Sequence, residues 1–287
     1  MSLSSSQLDA FYEIAKTSSF SKAAKNLAVT QSALSQRVKN LEGELGTSLL
    51  IREPSGIRLT SAGEELVQYC KHRQALESEC LGRIKKPGSA SLVGVIRVGG
   101  YSTVTRSLIL PALRPLLAEN PEVRIEVVTR EMRELPKLLR SGETDFVFLD
   151  HALEKEGVEA HLLGYEENVL IESKTADVRT DVFLDHDLED DTTLRFFEAQ
   201  GRKQKKLNRA FLDEIYCILD AVELGMGRAV VPQHLLRTGK RVQAVPGFKS
   251  LRLPIYLNYY RQSFYTRLQE VVIDCLSRET RSRLAGK

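Results

Sequence analysis

The chain has 287 residues, 42% of them hydrophobic and 28% charged, with a formal net charge of +3. That length exceeds one small core and falls short of three, so two folded units are expected, and the composition excludes the low-hydrophobicity, high-charge regime of disordered chains. No apolar run reaches the length of a bilayer span and the first residues show no basic and apolar leader pattern, so no membrane partner is expected and the expected location is cytoplasmic.

Leu8, Phe11, Tyr12 and Ala15 recur on one helical face and predict a first helix over residues 7–17. Ser19-Phe20-Ser21 interrupts that pattern. Ser21 is the candidate cap of a short second helix reaching Leu27, with Ala23, Ala24 and Leu27 facing inward, and residues 28–30 form a turn. Two stripes run along the third helix, residues 31–45: Leu34, Val38, Leu41 and Leu45 make a buried face, and Ser32, Ser35, Gln36 and Lys39 make a polar one. Ser and Gln can bond base edges while Lys and Arg neutralise phosphate, so the polar stripe fits a DNA major groove; a merely solvated face is the alternative. Two short helices joined by a tight turn, the second bearing the stripe, form the arrangement that presents a recognition helix. Gly46 ends that helix, and short strands at 49–52 and 57–59 flank a turn at 54–56. This wing puts Arg52 and Arg58 within reach of backbone phosphate or the minor groove.

Ser61-Ala62-Gly63-Glu64 has the form of a capping box, and Leu66, Tyr69, Cys70, Leu76, Cys80 and Ile84 continue as a long helix to about Lys85. Its apolar surface suits pairing with a second copy, against the alternative of packing only on its own domain. Residues 85–91 read as a hinge. Beyond it the texture becomes α/β: strand 95–98, helix 108–118, strand 123–129, helix 134–140 and strand 145–149. Strands near 168–171 and 182–184, helices near 193–199 and 212–224, strands 228–231 and 253–258, and a last helix over 263–283 follow. Two small parallel-sheet subdomains sharing a cleft fit this order. Ligands of open α/β sheets sit outside the carboxyl ends of strands, which points to the loops after Val98, Thr129 and Leu149.

The charge is unevenly spread: residues 16–58 hold seven basic side chains against three acidic ones, a local +4 on an otherwise nearly neutral chain. Phosphate contact leaves such a footprint, although a solvated face gives the same count. Cys70, Cys80, Cys217 and Cys275 form no CxxC pair and the five histidines lack zinc-ligand spacing, so neither a metal nor a cofactor is expected, and the cysteines read as buried packing rather than redox groups.

Residues 19–24 (Ser-Phe-Ser-Lys-Ala-Ala), Leu27, and the run 30–42 from Thr30-Gln31-Ser32 through Leu41-Glu42 strongly resemble the DNA-binding signature of LysR-type regulators. Leu45-Gly46, Leu49-Leu50 with Arg52, and residues 59–63 resemble that family's wing and the entry to its linker helix. The resemblance is dense over residues 7–66. Farther on it rests on element order, Leu110-Pro111, Gly142 with Asp145, and Gly225-Met226-Gly227 before Val231-Pro232. It implies a winged helix-turn-helix over residues 1–60, a linker and dimerisation helix over 61–86, a hinge at 87–92 and a bilobed, periplasmic-binding-protein-like (Rossmann-type) α/β effector domain over 93–287. Within that domain, subdomain I would take about 93–164 and 260–287, and subdomain II about 165–259. The implied partners are double-stranded DNA at a dyad-symmetric promoter site, a small-molecule effector that alters DNA bending, and copies of the same chain, paired through the linker helix and doubled into a homotetramer; RNA polymerase is a further candidate. Carried over by position, Gln31, Ser32, Ser35 and Gln36 would read DNA and Arg52 would serve the wing; Thr30 and Lys39 on the helix and Arg58 in the wing complete the expected DNA-facing set. Ser102, Thr103, Thr129, Glu131 and Met132 would line the effector pocket. Hydroxyls and free amides suit a carboxylate, and Glu131 or Asp185 suits a cation, so an amino acid, and a basic one in particular, is the expected effector. The acidic run 185–191 also resembles the arginine- and lysine-responsive branch, although a solvated acidic loop is the simpler reading.

An enzyme would need a reactive constellation, and the sequence contains no GxSxG elbow, Walker loop, HExxH or dinucleotide turn, so none is expected. A solute-binding protein would share the bilobed part but not the N-terminal helices. An architectural DNA binder whose rear domain only oligomerises stays open.

Overall fold

Helices α1 (Ser5–Thr17), α2 (Phe20–Asn26) and α3 (Gln31–Leu45) pack around Leu8, Phe11, Ile14, Ala23, Leu34, Val38 and Leu41, all buried. The computed structural model describes residues 3–54, 56–85, 92–201, 207–238 and 241–285. Ser19, not Ser21, caps α2 by accepting from the Lys22 N–H. The hydroxyl two residues earlier is the one that faces the free amides, because Phe20 is already helical. Leu45, expected on the buried face, is 36% exposed because Gly46, at φ +66°, turns the chain away one residue later. The wing forms as strands β1 (Leu50–Glu53) and β2 (Gly56–Leu59), paired antiparallel; Ser55 of the expected turn lies outside the described residues.

Helix α4 runs from Ser61 to Lys85. The expected capping box is shifted by one residue: the Thr60 hydroxyl accepts from the Gly63 N–H, while the Glu64 carboxylate turns outward to Lys155 and Arg140. At Gly63 a β-carbon would stand 2.2 Å from the Leu49 carbonyl oxygen, so only glycine lets the first turn of α4 lie against the chain entering β1. Gly63→Ala should therefore destabilise the N-terminal unit by about 2 kcal/mol, read as a lower urea midpoint by far-ultraviolet circular dichroism. An unchanged midpoint would mean that the two segments separate freely.

The expected hinge residues 86–91 lie outside the described residues. Beyond them, β3 (Gly94–Gly100), β4 (Val123–Thr129) and β5 (Phe146–Leu149) form a parallel core in which β3 pairs with both others. They are joined through α5 (Ser102–Val104), a π-helical turn (Thr105–Ile109) and α6 (Leu110–Glu119), and then through α7 (Leu135–Arg140). Pro111 offers no N–H to the carbonyl one turn earlier, which accords with the widened turn before it.

The largest departure from expectation follows. The short strand near 168–171 is part of β6 (Val158–Ser173), a 16-residue strand, and residues 253–258 belong to β11 (Leu251–Tyr260). These two pair antiparallel from Val158–Tyr260 to Asn168–Leu251 and are shared by both lobes. The main sheet, ordered β10 (Val242–Ala244), β6, β11, β5, β3, β4 with β9 (Ala229–Pro232) beside β6, is consequently mixed instead of two parallel sheets. The second lobe adds β7 (Val182–Asp185) parallel to β8 (Asn208–Phe211), together with α8 (Thr192–Ala199), α9 (Ile215–Glu223) and β10 (Val242–Ala244). β8 and β10 carry no clear apolar alternation and were not anticipated. Helix α10 (Arg267–Leu284) begins four residues later than expected, where Thr266 and Gln269 make a capping box, and it packs its Val272, Cys275 and Leu276 on the first lobe. Of the cysteines, Cys70 and Cys275 are buried as expected, whereas Cys80 and Cys217 are exposed.

The N-terminal unit rests on the first lobe. Lys71 of α4 pairs with Asp145 at 2.7 Å and donates to the Thr144 carbonyl, and Asp145 also accepts from the Arg97 N–H at 2.7 Å. Gly142, at φ +75°, leaves room for Val67, whose Cγ1 would lie 2.6 Å from any β-carbon there.

Candidate DNA interface and effector cavity

On α3, Thr30 caps the helix by accepting from the Ala33 N–H at 3.2 Å, and its hydroxyl lies 3.1 Å from that of Ser32. Gln31, Ser32, Gln36 and Lys39 are exposed, while Ser35 is half-buried. Two of these side chains are oriented by neighbours that the sequence pattern did not place on the DNA face: the Ser21 hydroxyl donates to the Gln31 amide oxygen at 3.1 Å, and the Gln36 amide donates to Asn40 at 2.7 Å. Arg52 of the wing stacks over Phe20 at 4.7 Å and reaches the Ser35 hydroxyl at 3.5 Å, which joins wing and α3 into one surface. Arg58 is instead drawn to Glu53 at 2.7 Å, so its charge is partly balanced within the wing. The surface combines helix-borne hydrogen-bonding groups with flanking cations, the two components of groove recognition.

A second site lies between the lobes. A cavity of about 510 Å³ is lined from the first lobe by Tyr101, Ser102 and Thr103 after β3, by Thr129, Glu131, Met132 and Arg133 after β4, and by Asp150 after β5. The shared strands supply Glu166, Asn168 and Leu253. From the second lobe come His186, Asp187 and residues 189–192, Arg195 of α8, residues 213–215 at the start of α9, and Val230 and Pro232 of β9. All three loops expected from the strand ends contribute, and Ser102, Thr103, Thr129, Glu131 and Met132 come together there. Asp185 does not line the cavity. It is buried, paired with Arg209 and accepting from the Thr193 hydroxyl, and burial raises its carboxyl above the usual range despite those partners. Acidity at the cavity comes instead from neighbouring positions and from Glu166, which a search for loop residues overlooks because it sits in mid-strand.

Most of these carboxylates already have partners. Arg133 reaches across the cleft to Glu189 and to Asp187 at 3.7 Å, His186 approaches Glu131 at 3.7 Å, and Glu214 caps α9 through the Cys217 N–H. Burial disfavours the Asp187 anion, but amides from Glu189 and Asp190 with His186 and Arg133 outweigh it and hold the carboxyl below its usual range. Glu166 is different. It is 5% exposed, its Oε1 has no hydrogen-bond partner, and burial pushes its carboxyl up to about 8. Tyr101, partly buried beside it, has its hydroxyl raised well above the usual value by burial first and then by Glu166 and Asp150.

Residues 5–64 match the family described as "Bacterial regulatory helix-turn-helix protein, lysR family", and residues 89–281 match "LysR substrate binding domain". The chain belongs to the LysR family. Curated relatives of this LysR-family chain include the helix-turn-helix regulator YcgK of Bacillus subtilis, 33% identical over 148 residues (50% of this chain and 44% of YcgK), and ArgP of Cronobacter sakazakii, 36% identical over 136 residues (47% and 44%). The matched part thus spans about half the length of these relatives. Among solved structures, ArgP from Mycobacterium tuberculosis shares the fold with a TM-score of 0.78 at 21% identity, covering 97% of this chain and 98% of that one. Full-length LysG from Corynebacterium glutamicum with the effector Arg bound gives 0.71 at 19% identity, covering 96% of each chain. Among the described residues, no helix is long and apolar enough to cross a membrane.

Proposed function

We propose that this LysR-family protein is a cytoplasmic transcription regulator, not an enzyme, that binds a dyad-symmetric promoter site and responds to a basic amino acid in the cavity between its lobes. The observation that carries the reading is the presence, in one chain, of the α3 and wing surface and of a cavity with nine carboxylate side chains against Arg133, Arg195 and His186. A hydroxyl-lined end at Ser102 and Thr103 suits an α-carboxylate, and the acidic remainder suits a cationic side chain. The Arg bound to LysG is in keeping with this. Exposed Tyr69, Leu76 and Ile84 fall on one side of α4 and support pairing of two copies through this helix. Such a dimer would set two recognition helices on a two-fold site, and its doubling to a tetramer and contact with RNA polymerase belong to the same proposal.

The test is fluorescence anisotropy of the full chain on DNA from upstream of its own gene and on a shuffled control, at two salt concentrations, with and without arginine or lysine. Preferential, salt-sensitive binding that either amino acid alters is expected. Equal binding to both DNAs would overturn site-specific regulation at that promoter, and indifference to both amino acids would overturn the effector class. Gln36→Ala should weaken the specific complex about tenfold and leave the shuffled complex nearly unchanged, since it removes a base-edge contact. Arg52→Ala should weaken both complexes and reduce the salt slope by about one. The reverse pattern would exchange the roles of these two side chains.

A further inference from the structure

Glu166 occupies an unusual place in the cavity. It lies in the part of β6 that passes between the lobes, paired in register with Leu253 of β11, and its side chain is almost wholly removed from water. The rim carboxylates Glu131 and Asp213 are 48% and 97% exposed, and the loop carboxylates Asp187 and Asp190 accept backbone amides. Glu166 Oε1 is left with no hydrogen bond, and the nearest imidazole nitrogen, His234 Nδ1, stands 3.6 Å away. A buried carboxyl oxygen without a hydrogen-bond donor, on the wall of a cavity large enough for an amino acid, is an acceptor still able to take one.

Resting on the effector reading above, we infer that Glu166 is the seat of the effector's side-chain cation and surrenders its proton when that cation enters. The exchange is balanced: the carboxyl O–H bond breaks, the proton passes to bulk water, and the cationic group replaces it as donor to the new carboxylate. The cavity therefore gains one positive group and loses one proton, and its net charge is conserved. Burial, which pushes the Glu166 carboxyl up to about 8, supports this order of events, because an ammonium or guanidinium nearby reverses the penalty on the anion. The titratable groups around Glu166 are His234 after β9, Tyr101 after β3 and, coupled through Tyr101, Asp150 after β5. Leu253 of β11 and Val230 and Pro232 of β9, which line the same cavity, do not titrate. Discrimination follows directly. A ligand of the same shape without the cation leaves the proton in place and gains nothing from this wall.

The experiment is calorimetric titration of the full chain with L-arginine, L-lysine and L-norleucine at pH 7 in two buffers of different ionisation enthalpy. The expected result is release of nearly one proton per arginine or lysine, an affinity that rises up to tenfold per pH unit between pH 6 and 7, and norleucine binding at least tenfold weaker. Glu166→Gln should abolish the proton release and weaken arginine or lysine at least tenfold. Glu166→Asp should restore the release in part, which a merely structural role would not predict. If arginine or lysine binds but Glu166→Gln keeps the proton release, or His234→Gln removes it instead, the assignment to Glu166 is overturned while the effector reading stands. If neither amino acid binds the wild-type chain, both fall.

Discussion

Replacing Lys71 by Met is expected to destabilise the protein by about 3 kcal/mol, the range seen when one partner of a buried ion pair is removed. Lys71 and Asp145 are 9% and 15% exposed, and without the ammonium the Asp145 carboxylate keeps, among the described residues, only the hydrogen bond from the Arg97 N–H. A single surviving donor does not compensate a carboxylate in that setting. The damage should be local at first. Lys71 joins α4 to the turn before β5, where it also satisfies the Thr144 carbonyl, so amide exchange across residues 139–146 should accelerate more than exchange in α1 to α3. The double variant Lys71→Met with Asp145→Asn should recover at least 1 kcal/mol, because it removes the orphaned charge along with its partner. Melting curves of the four proteins provide the cycle. Additive losses in the two single variants would mean that the pair is solvated and that apolar contacts around Val67 and Gly142 hold the two units together. Asp145 precedes the four-residue β5 and Asp150, which lines the cavity, follows it, so one short strand has the α4 contact at one end and the cavity at the other.

The sequence was most readable where one periodicity governs one face. The helices of the N-terminal unit, their short connections and the wing could be placed from alternating apolar and polar positions, because each element there buries a single side against a single core. Errors at this end were local: Ser21 in place of Ser19, the capping residue of α4 by one position, and Leu45 on the wrong face. In the second half, only a quarter of β6 is legible because its residues 158–167 alternate only weakly, with Glu159, His161, Glu166 and Glu167 along the strand. A strand shared by two lobes has different neighbours on each half, so no single pattern runs through it. The same fact hid Glu166. Loop positions at strand ends could be listed as pocket candidates, and five of them do line the cavity, but a buried acid in mid-strand looks like a solvated one until the pairing of β6 with β11 is known. Asp185 shows the converse. Its acidic run suggested a free carboxylate, whereas Arg209, distant in sequence, arrives on β8 to pair with it.

Glu166 should also make the protein's stability fall with pH in a window where ordinary carboxylates have no effect. Its folded-state value, about 8, lies above the ordinary carboxyl value of roughly 4.3 that unfolding restores. Below pH 4 both states hold the proton and the burial of Glu166 carries no pH-linked cost. Between pH 4 and 8 the folded protein keeps a proton that the unfolded chain has lost, so stability declines, and above 8 the decline levels off. The total should be on the order of 3 kcal/mol, less than the full displacement implies because His234 and cavity water relieve part of the penalty. Glu166→Gln removes this term but preserves shape. The melting temperature of the variant should therefore gain on that of the wild type from pH 5 to pH 9, by roughly 6–10 °C over the interval. Saturating arginine adds the second half of the argument. If the cation pairs with Glu166, the ligand-bound wild type is already ionised there, and its decline with pH should flatten toward that of the variant. A wild-type and variant difference that stays constant from pH 5 to 9 would mean that Glu166 is ionised throughout. Water must then reach a side chain that is only 5% exposed, and the cavity must open in solution beyond the arrangement in which Arg133 pairs with Glu189 and His186 approaches Glu131.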